Sequence, residues 1–113
     1  MELKQEQLRK VVEIVEDKKG HDIILLNLKG ISMVTDYFLI VTGNTPTQVK
    51  AITNHLDEKL PENGIPMLRL EGLPEAKWVL LDCGDLVVHV MTPETREFYN
   101  LEHLWGDAEV LSI

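Results

Sequence analysis

The sequence predicts a single α/β domain, a mixed five-stranded sheet with helices on one face. Three observations carry that expectation. Two segments place apolar residues at helical spacing, several short apolar runs lie around them, and a chain of 113 residues suffices for one ordinary core. The order is helix, two strands, helix, three strands and a short helical tail, which suits mixed strand pairing under packed helices.

The first helix is expected over residues 3–18, where Leu8, Val11, Val12 and Val15 follow the i, i+3, i+4, i+7 spacing of one face. Gly20 is placed to end it. "DIILLNLKG" is a nearly continuous apolar run closed by glycine and reads as a buried strand. "DYFLIVTG" reads the same way, enriched in aromatic and β-branched residues. The second helix opens with Thr45 as N-cap, Pro46 at the first helical position and Gln48 completing a capping box. Val49, Ile52, Leu56 and Leu60 form its apolar stripe, and "PENG" stops it. "IPMLRLEG" is a third strand, with Pro66 suited to an edge or a first turn.

"KWVLLDCGDLVVHVM" is a hairpin with Cys83-Gly84 as its two-residue loop and Asp82 and Asp85 closing it. That register sets Leu81 against Leu86 and Trp78 against His89. Alternation then sorts the side chains. One face holds Val79, Leu81, Leu86, Val88 and Val90, all aliphatic and fit for a core. The other holds Trp78, Leu80, Val87, His89 and Met91, with the two aspartates at its end. A large ring with an N–H, an imidazole and a flexible thioether suit a docking face. The competing reading is that the C-terminal tail folds back and covers Trp78.

That tail contains "REFYNLEHLW", residues 96–105, with three of the chain's few aromatic residues. Phe98, Leu101 and Trp105 are spaced as one helical stripe with Leu104 beside them, so they are expected to close the sheet edge. Arg96 and Tyr99 lie off the stripe and are expected to border the Trp78 face.

Composition narrows the function. At 44% hydrophobic and 27% charged, the chain is globular rather than disordered. Absence of an apolar run of membrane length and of a leader points to a cytoplasmic protein with no membrane partner. Its single cysteine, Cys83, fits a reducing compartment. Net charge is −8, and residues 71–113 hold nine acids against two bases, Lys77 and Arg96. Such a surface repels phosphate, so little direct nucleic-acid contact is expected, and it attracts a basic protein.

Catalytic patterns are not evident. His21, His55, His89 and His103 are far apart, with no metal-ligand pairing at i, i+4. Ser32 and Ser112 lack a nucleophile elbow, and Cys83 sits beside two carboxylates that discourage a thiolate. "TGNTPTQ" lacks the spacing of a phosphate loop, and a capped helix start explains it. No cofactor is implied.

Three stretches, "TDYFLIVTGNTPTQVKAI" (35–52), "WVLLDCGDLVVHV" (78–90) and "REFYNLEHLW" (96–105), together resemble the ribosomal silencing factors, the Iojap-like family. The resemblance runs over nearly the whole chain and departs at Asn44-Thr45, where small residues and serine are usual. It implies a nucleotidyltransferase-like topology without the catalytic residues, since the step here is Gly43-Asn44 and Asp82 and Asp85 are three apart across a turn. It also implies binding to the large ribosomal subunit through its ribosomal protein fourteen, blocking the small subunit and lowering translation when nutrients are scarce. Related organellar members assist large-subunit assembly. The binding residues mapped onto this chain are Trp78, Leu80, His89, Met91, Arg96 and Tyr99, with Asp82, Glu94 and Glu97 as an acidic rim. Two other readings remain: a residual nucleotide-handling enzyme using Gly43 and the Asp82/Asp85 region, and a homodimer formed through the same face.

Overall fold

In the computed structural model, which describes residues 3–112, the chain runs α1 (Gln5–Asp17), β1 (His21–Asn27), β2 (Tyr37–Thr42), α2 (Pro46–Glu62) and β3 (Arg69–Glu71). It continues through β4 (Trp78–Asp82), β5 (Leu86–Met91), α3 (Pro93–Tyr99), α4 (Leu101–Leu104) and β6 (Glu109–Leu111). The sheet order is β3-β4-β5-β2-β1-β6, with β2 and β5 parallel and the other neighbours antiparallel.

The expected five strands are therefore six. β6 was missed because three residues are too short to show alternation. Tertiary pairing alone defines it, with Leu25 opposite Leu111 and Asn27 opposite Glu109. β3 is equally short, so both sheet edges are brief, as edge strands that resist further pairing tend to be.

α1 and α2 form as their stripes require. Leu8, Val11 and Val15 of α1 are buried, with Ile14 in place of the half-buried Val12, as are Val49, Ile52, Leu56 and Leu60 of α2. The Thr45 hydroxyl accepts from the Gln48 backbone N–H at 3.1 Å, the expected cap. The Gln48 side chain reaches one residue further back than a capping box requires, accepting from the Asn44 N–H at 2.6 Å. α2 ends within "PENG" as expected, with Glu62 its last residue and Asn63 its C-cap.

Both helices cover one sheet face, over Leu39, Val41, Val79, Leu81, Val88 and Val90. Each such side chain contributes about 1.5–3 kcal/mol by leaving water. Helices are not confined to that face, contrary to expectation. α4 crosses the opposite one, where Leu101 joins Leu26, Leu28, Ile40 and Met91 in a second core.

The β4–β5 hairpin is shifted by two residues from the expected register. Trp78 pairs with Met91, Leu80 with His89 and Leu81 with Val88. Its loop is Gly84-Asp85, closed by the Cys83 N–H donating to the Leu86 carbonyl at 2.8 Å. Gly84 has φ of 85°, the positive angle that a two-residue loop of type II′ asks of its first central residue. A shift of two preserves parity, so the assignment of side chains to faces stands.

The tail departs further. Asn100 adopts a left-handed conformation, φ 46° and ψ 60°, and separates α3 from α4. The stripe of Phe98, Leu101 and Trp105 is broken there. Leu101 is buried, Trp105 is half-buried, and Phe98 is 80% exposed.

Candidate functional site

The site begins where β4 does. The chain reaches Trp78 through a tight loop, and Gly72 at its start has φ of 89°. A Cβ on Gly72 would sit 2.1 Å from the Trp78 carbonyl oxygen, so only glycine lets the loop lie against the strand. Trp78 is half-buried. Its indole N–H donates to Nδ1 of His89, 3.1 Å away, and its ring centroid is 4.7 Å from that of Tyr99.

These contacts belong to a row of rings across the second sheet face. Phe98 meets Tyr99 edge-on at 5.0 Å, Tyr99 tilts onto Trp78, Trp78 lies 6.0 Å from His89, His89 meets Phe38 at 4.5 Å, and Phe38 meets Trp105 at 5.8 Å. Where the rings are packed, such pairs are worth about 0.5–1.5 kcal/mol beyond their burial, and the contact of the exposed Phe98 adds little. One end of the row is sheltered by α4, and the other opens to solvent.

At the open end, the loop before β4 and helix α3 enclose a shallow hollow of about 420 Å³, lined by Pro74, Glu75, Lys77, Trp78, Thr95 and Tyr99. Tyr99 is 52% exposed. The tail thus leans on Trp78 without sealing it.

The six residues named from sequence divide into three groups. Trp78, Leu80 and Tyr99 have solvent access, and Trp78 and Tyr99 touch. His89 is 3% exposed and Met91 is fully buried, so neither offers a surface. Both lie inside β5, flanked by β4 and β2, with Met91 roofed by Leu101. They pack the interior beside Trp78 and Leu80 and form the floor of the site.

Arg96 is the third group. Its Nε donates to Glu102 Oε1 at 2.7 Å and its Nη1 to Thr42 Oγ1 at 2.8 Å and to the Asp22 carbonyl. It lines a separate hollow with Thr42, Pro93, Glu97, Asn100 and Glu102, away from Trp78. Phe98 and Leu104, 80% and 71% exposed, are the residues that sequence reasoning assigned to the core. The available signal was Asn100, a residue type that tolerates the left-handed region and so breaks a helical stripe.

The titratable groups of this face are buried or engaged within the fold. Burial pushes the His89 imidazole down to about 4, so it is neutral near pH 7. Its Nδ1 accepts from Trp78, which leaves the proton on Nε2, an atom with no hydrogen-bond partner among the described residues. The Cys83 thiol is pushed up to about 12 by burial and then by Asp82. Asp82 is engaged in its own turn, accepting from the Gly84 N–H at 2.9 Å. No group of three or more His, Cys, Asp or Glu is gathered as a metal site among the described residues. No helix there is long and apolar enough to cross a membrane.

Fold and site together define a small α/β domain whose distinctive surface is an aromatic hollow. The family model described as "Ribosomal silencing factor during starvation" matches residues 2–113. The ribosomal silencing factor of Halalkalibacterium halodurans is 49% identical over 109 residues, covering 96% of this chain and 93% of that one. A crystal structure from Chromobacterium violaceum superposes with a TM-score of 0.88 at 42% identity, covering 94% of this chain and 88% of that one. One from Bacillus halodurans gives 0.85 at 45% identity, covering 97% and 100%. More distant relatives include mouse "Mitochondrial assembly of ribosomal large subunit protein 1", 32% identical over 98 residues, 84% of this chain and 43% of that one. "Protein Iojap, chloroplastic" of Arabidopsis thaliana is 33% identical over 98 residues, 87% and 41%. The chain belongs to the ribosomal silencing factor family, a family of regulatory proteins.

Proposed function

We propose that this protein binds the large ribosomal subunit through its ribosomal protein fourteen and thereby stands in the path of the small subunit. It acts in the cytoplasm and lowers translation when nutrients are limiting. The observation that carries this reading is the Trp78–Tyr99 pair, two touching aromatic rings open to solvent above a hollow. Aromatic anchors over a packed floor are what binding hot spots are made of. The floor is in place without any partner, since His89 and Met91 are buried in the isolated chain. Residues 71–113, which supply both rings, carry a formal charge of −7, and ribosomal proteins are basic. Opposite charge speeds encounter and selects partner orientation.

Co-sedimentation with purified subunits tests it. The protein should travel with large subunits and not with small ones, and Tyr99→Ala should need a higher protein concentration to do so.

A role in large-subunit assembly is a second reading, favoured by the printed name of the mouse relative. It uses the same docking face and differs in whether the subunit bound is immature. Self-association is favoured by the neighbouring exposure of Phe98 and Tyr99. A dimer through these rings would compete with the ribosome.

A further inference from the structure

We infer that Arg96 is the positioning residue of this site: its guanidinium fixes α3 so that Tyr99 closes over Trp78, and it makes no contact with the partner. The consequence for binding rests on the docking reading above, whereas the geometry does not.

α3 is seven residues long and buries none of them. The apolar burial that seats α1 and α2 is missing, so a different interaction must hold this helix at a fixed angle. Arg96 provides it. Nη1 bonds the Thr42 hydroxyl at the end of β2 and the Asp22 carbonyl in β1, while Nε bonds Glu102 in α4. One planar group thereby ties α3 to two strands and to the next helix.

The side chain of Arg96 is 14% exposed and that of Glu102 is 30% exposed, so the pair is screened less than a surface ion pair. Lysine, a point charge without the fork, cannot serve these acceptors together. Thr95 and Tyr99, four apart, share the side of α3 that lines the hollow, and Arg96 lies beside them on the other side. Release of the guanidinium leaves α3 attached chiefly by its ends, and the ring of Tyr99 loses its place.

The test begins with the protein alone. In a Trp105→Phe background, emission reports Trp78. Arg96→Ala, Arg96→Lys and Thr42→Val, the last removing one buried acceptor, should each shift that emission to the red, as Tyr99→Ala does. Adding Arg96→Ala to Tyr99→Ala should shift it no further. Unchanged emission in the Arg96 variants and Thr42→Val overturns the inference, and so does full restoration by lysine. Thr42→Val keeps the test open if Arg96→Ala does not fold.

Sedimentation with large subunits then reads the consequence. Arg96→Ala should weaken binding about tenfold, and the double variant should bind no worse than Tyr99→Ala, because coupled residues are not additive. Independent, additive losses would mean that Arg96 touches the partner and would overturn the assignment. If the parent protein itself fails to sediment, the docking reading falls, while the emission measurements still decide the role of Arg96.

Discussion

Trp78 and His89 are joined by one hydrogen bond, indole N–H to imidazole Nδ1 at 3.1 Å, and the bond requires the imidazole to be neutral. Protonation would place a second N–H where Nδ1 now accepts. The imidazole is held down to about 4 by burial, against an ordinary value of 6.5. Between those values the unfolded chain binds a proton that the folded chain refuses, so stability rises with pH across that window. The linked effect is about 3 kcal/mol, fully present above roughly pH 6.5 and lost as pH falls toward 4. Urea unfolding of the parent and of His89→Leu at pH 7 and pH 5 should give a steeper loss for the parent. Equal losses would show that His89 is not the buried neutral group described.

Truncation of either exposed ring should separate binding from folding. Trp78→Ala and Tyr99→Ala should each cost at least roughly 2 kcal/mol in large-subunit affinity if they are anchors. Tyr99→Ala, at a half-exposed position, should cost about 1 kcal/mol of stability, for its ring contact with Trp78, and leave the protein folded. Affinity measured by sedimentation at several protein concentrations checks this.

Phe98 and Leu101 should respond oppositely to the same change. Phe98→Ala removes an 80% exposed ring and should alter stability by no more than about 0.5 kcal/mol. Leu101→Ala removes a buried member of the second core and should cost about 2–4 kcal/mol. Denaturant midpoints of the two variants decide it.

Gly72→Ala should be disruptive although the loop is exposed. The new Cβ would meet the Trp78 carbonyl at 2.1 Å on a backbone with φ of 89°. Strain of this kind costs about 1–3 kcal/mol, and relief requires the loop to move off β4. Loss of stability with a changed Trp78 emission is expected, and Gly30→Ala, with a similar φ of 81° but nothing within 4 Å of the added Cβ, should leave the emission unchanged.

Much of this was legible in the chain itself. The stripes of α1 and α2, the Thr45 cap and the aliphatic face of the hairpin follow from local periodicity, which needs no knowledge of neighbours. The hairpin faces were correct even with the wrong loop, because moving from Cys83-Gly84 to Gly84-Asp85 shifts register by an even number. What was not legible depends on contacts distant in sequence. β6 exists only because Val110 finds Leu26, and Arg96 turns away from Trp78 only because Thr42 and Asp22 lie within its reach. His89 and Met91 looked like surface because alternation names a face without saying whether a tail will cover part of it. Asn100 decides that division, by breaking one helix into two and letting Leu101 descend while Phe98 stays outside.

Joining of purified large and small subunits, followed on a density gradient with and without this protein, is the most direct measurement. Added protein should hold the subunits apart and appear only in the large-subunit fraction, while Trp78→Ala of equal stability should let them join. Subunits that join normally while the parent protein remains at the top of the gradient would contradict the proposed docking and the function built on it.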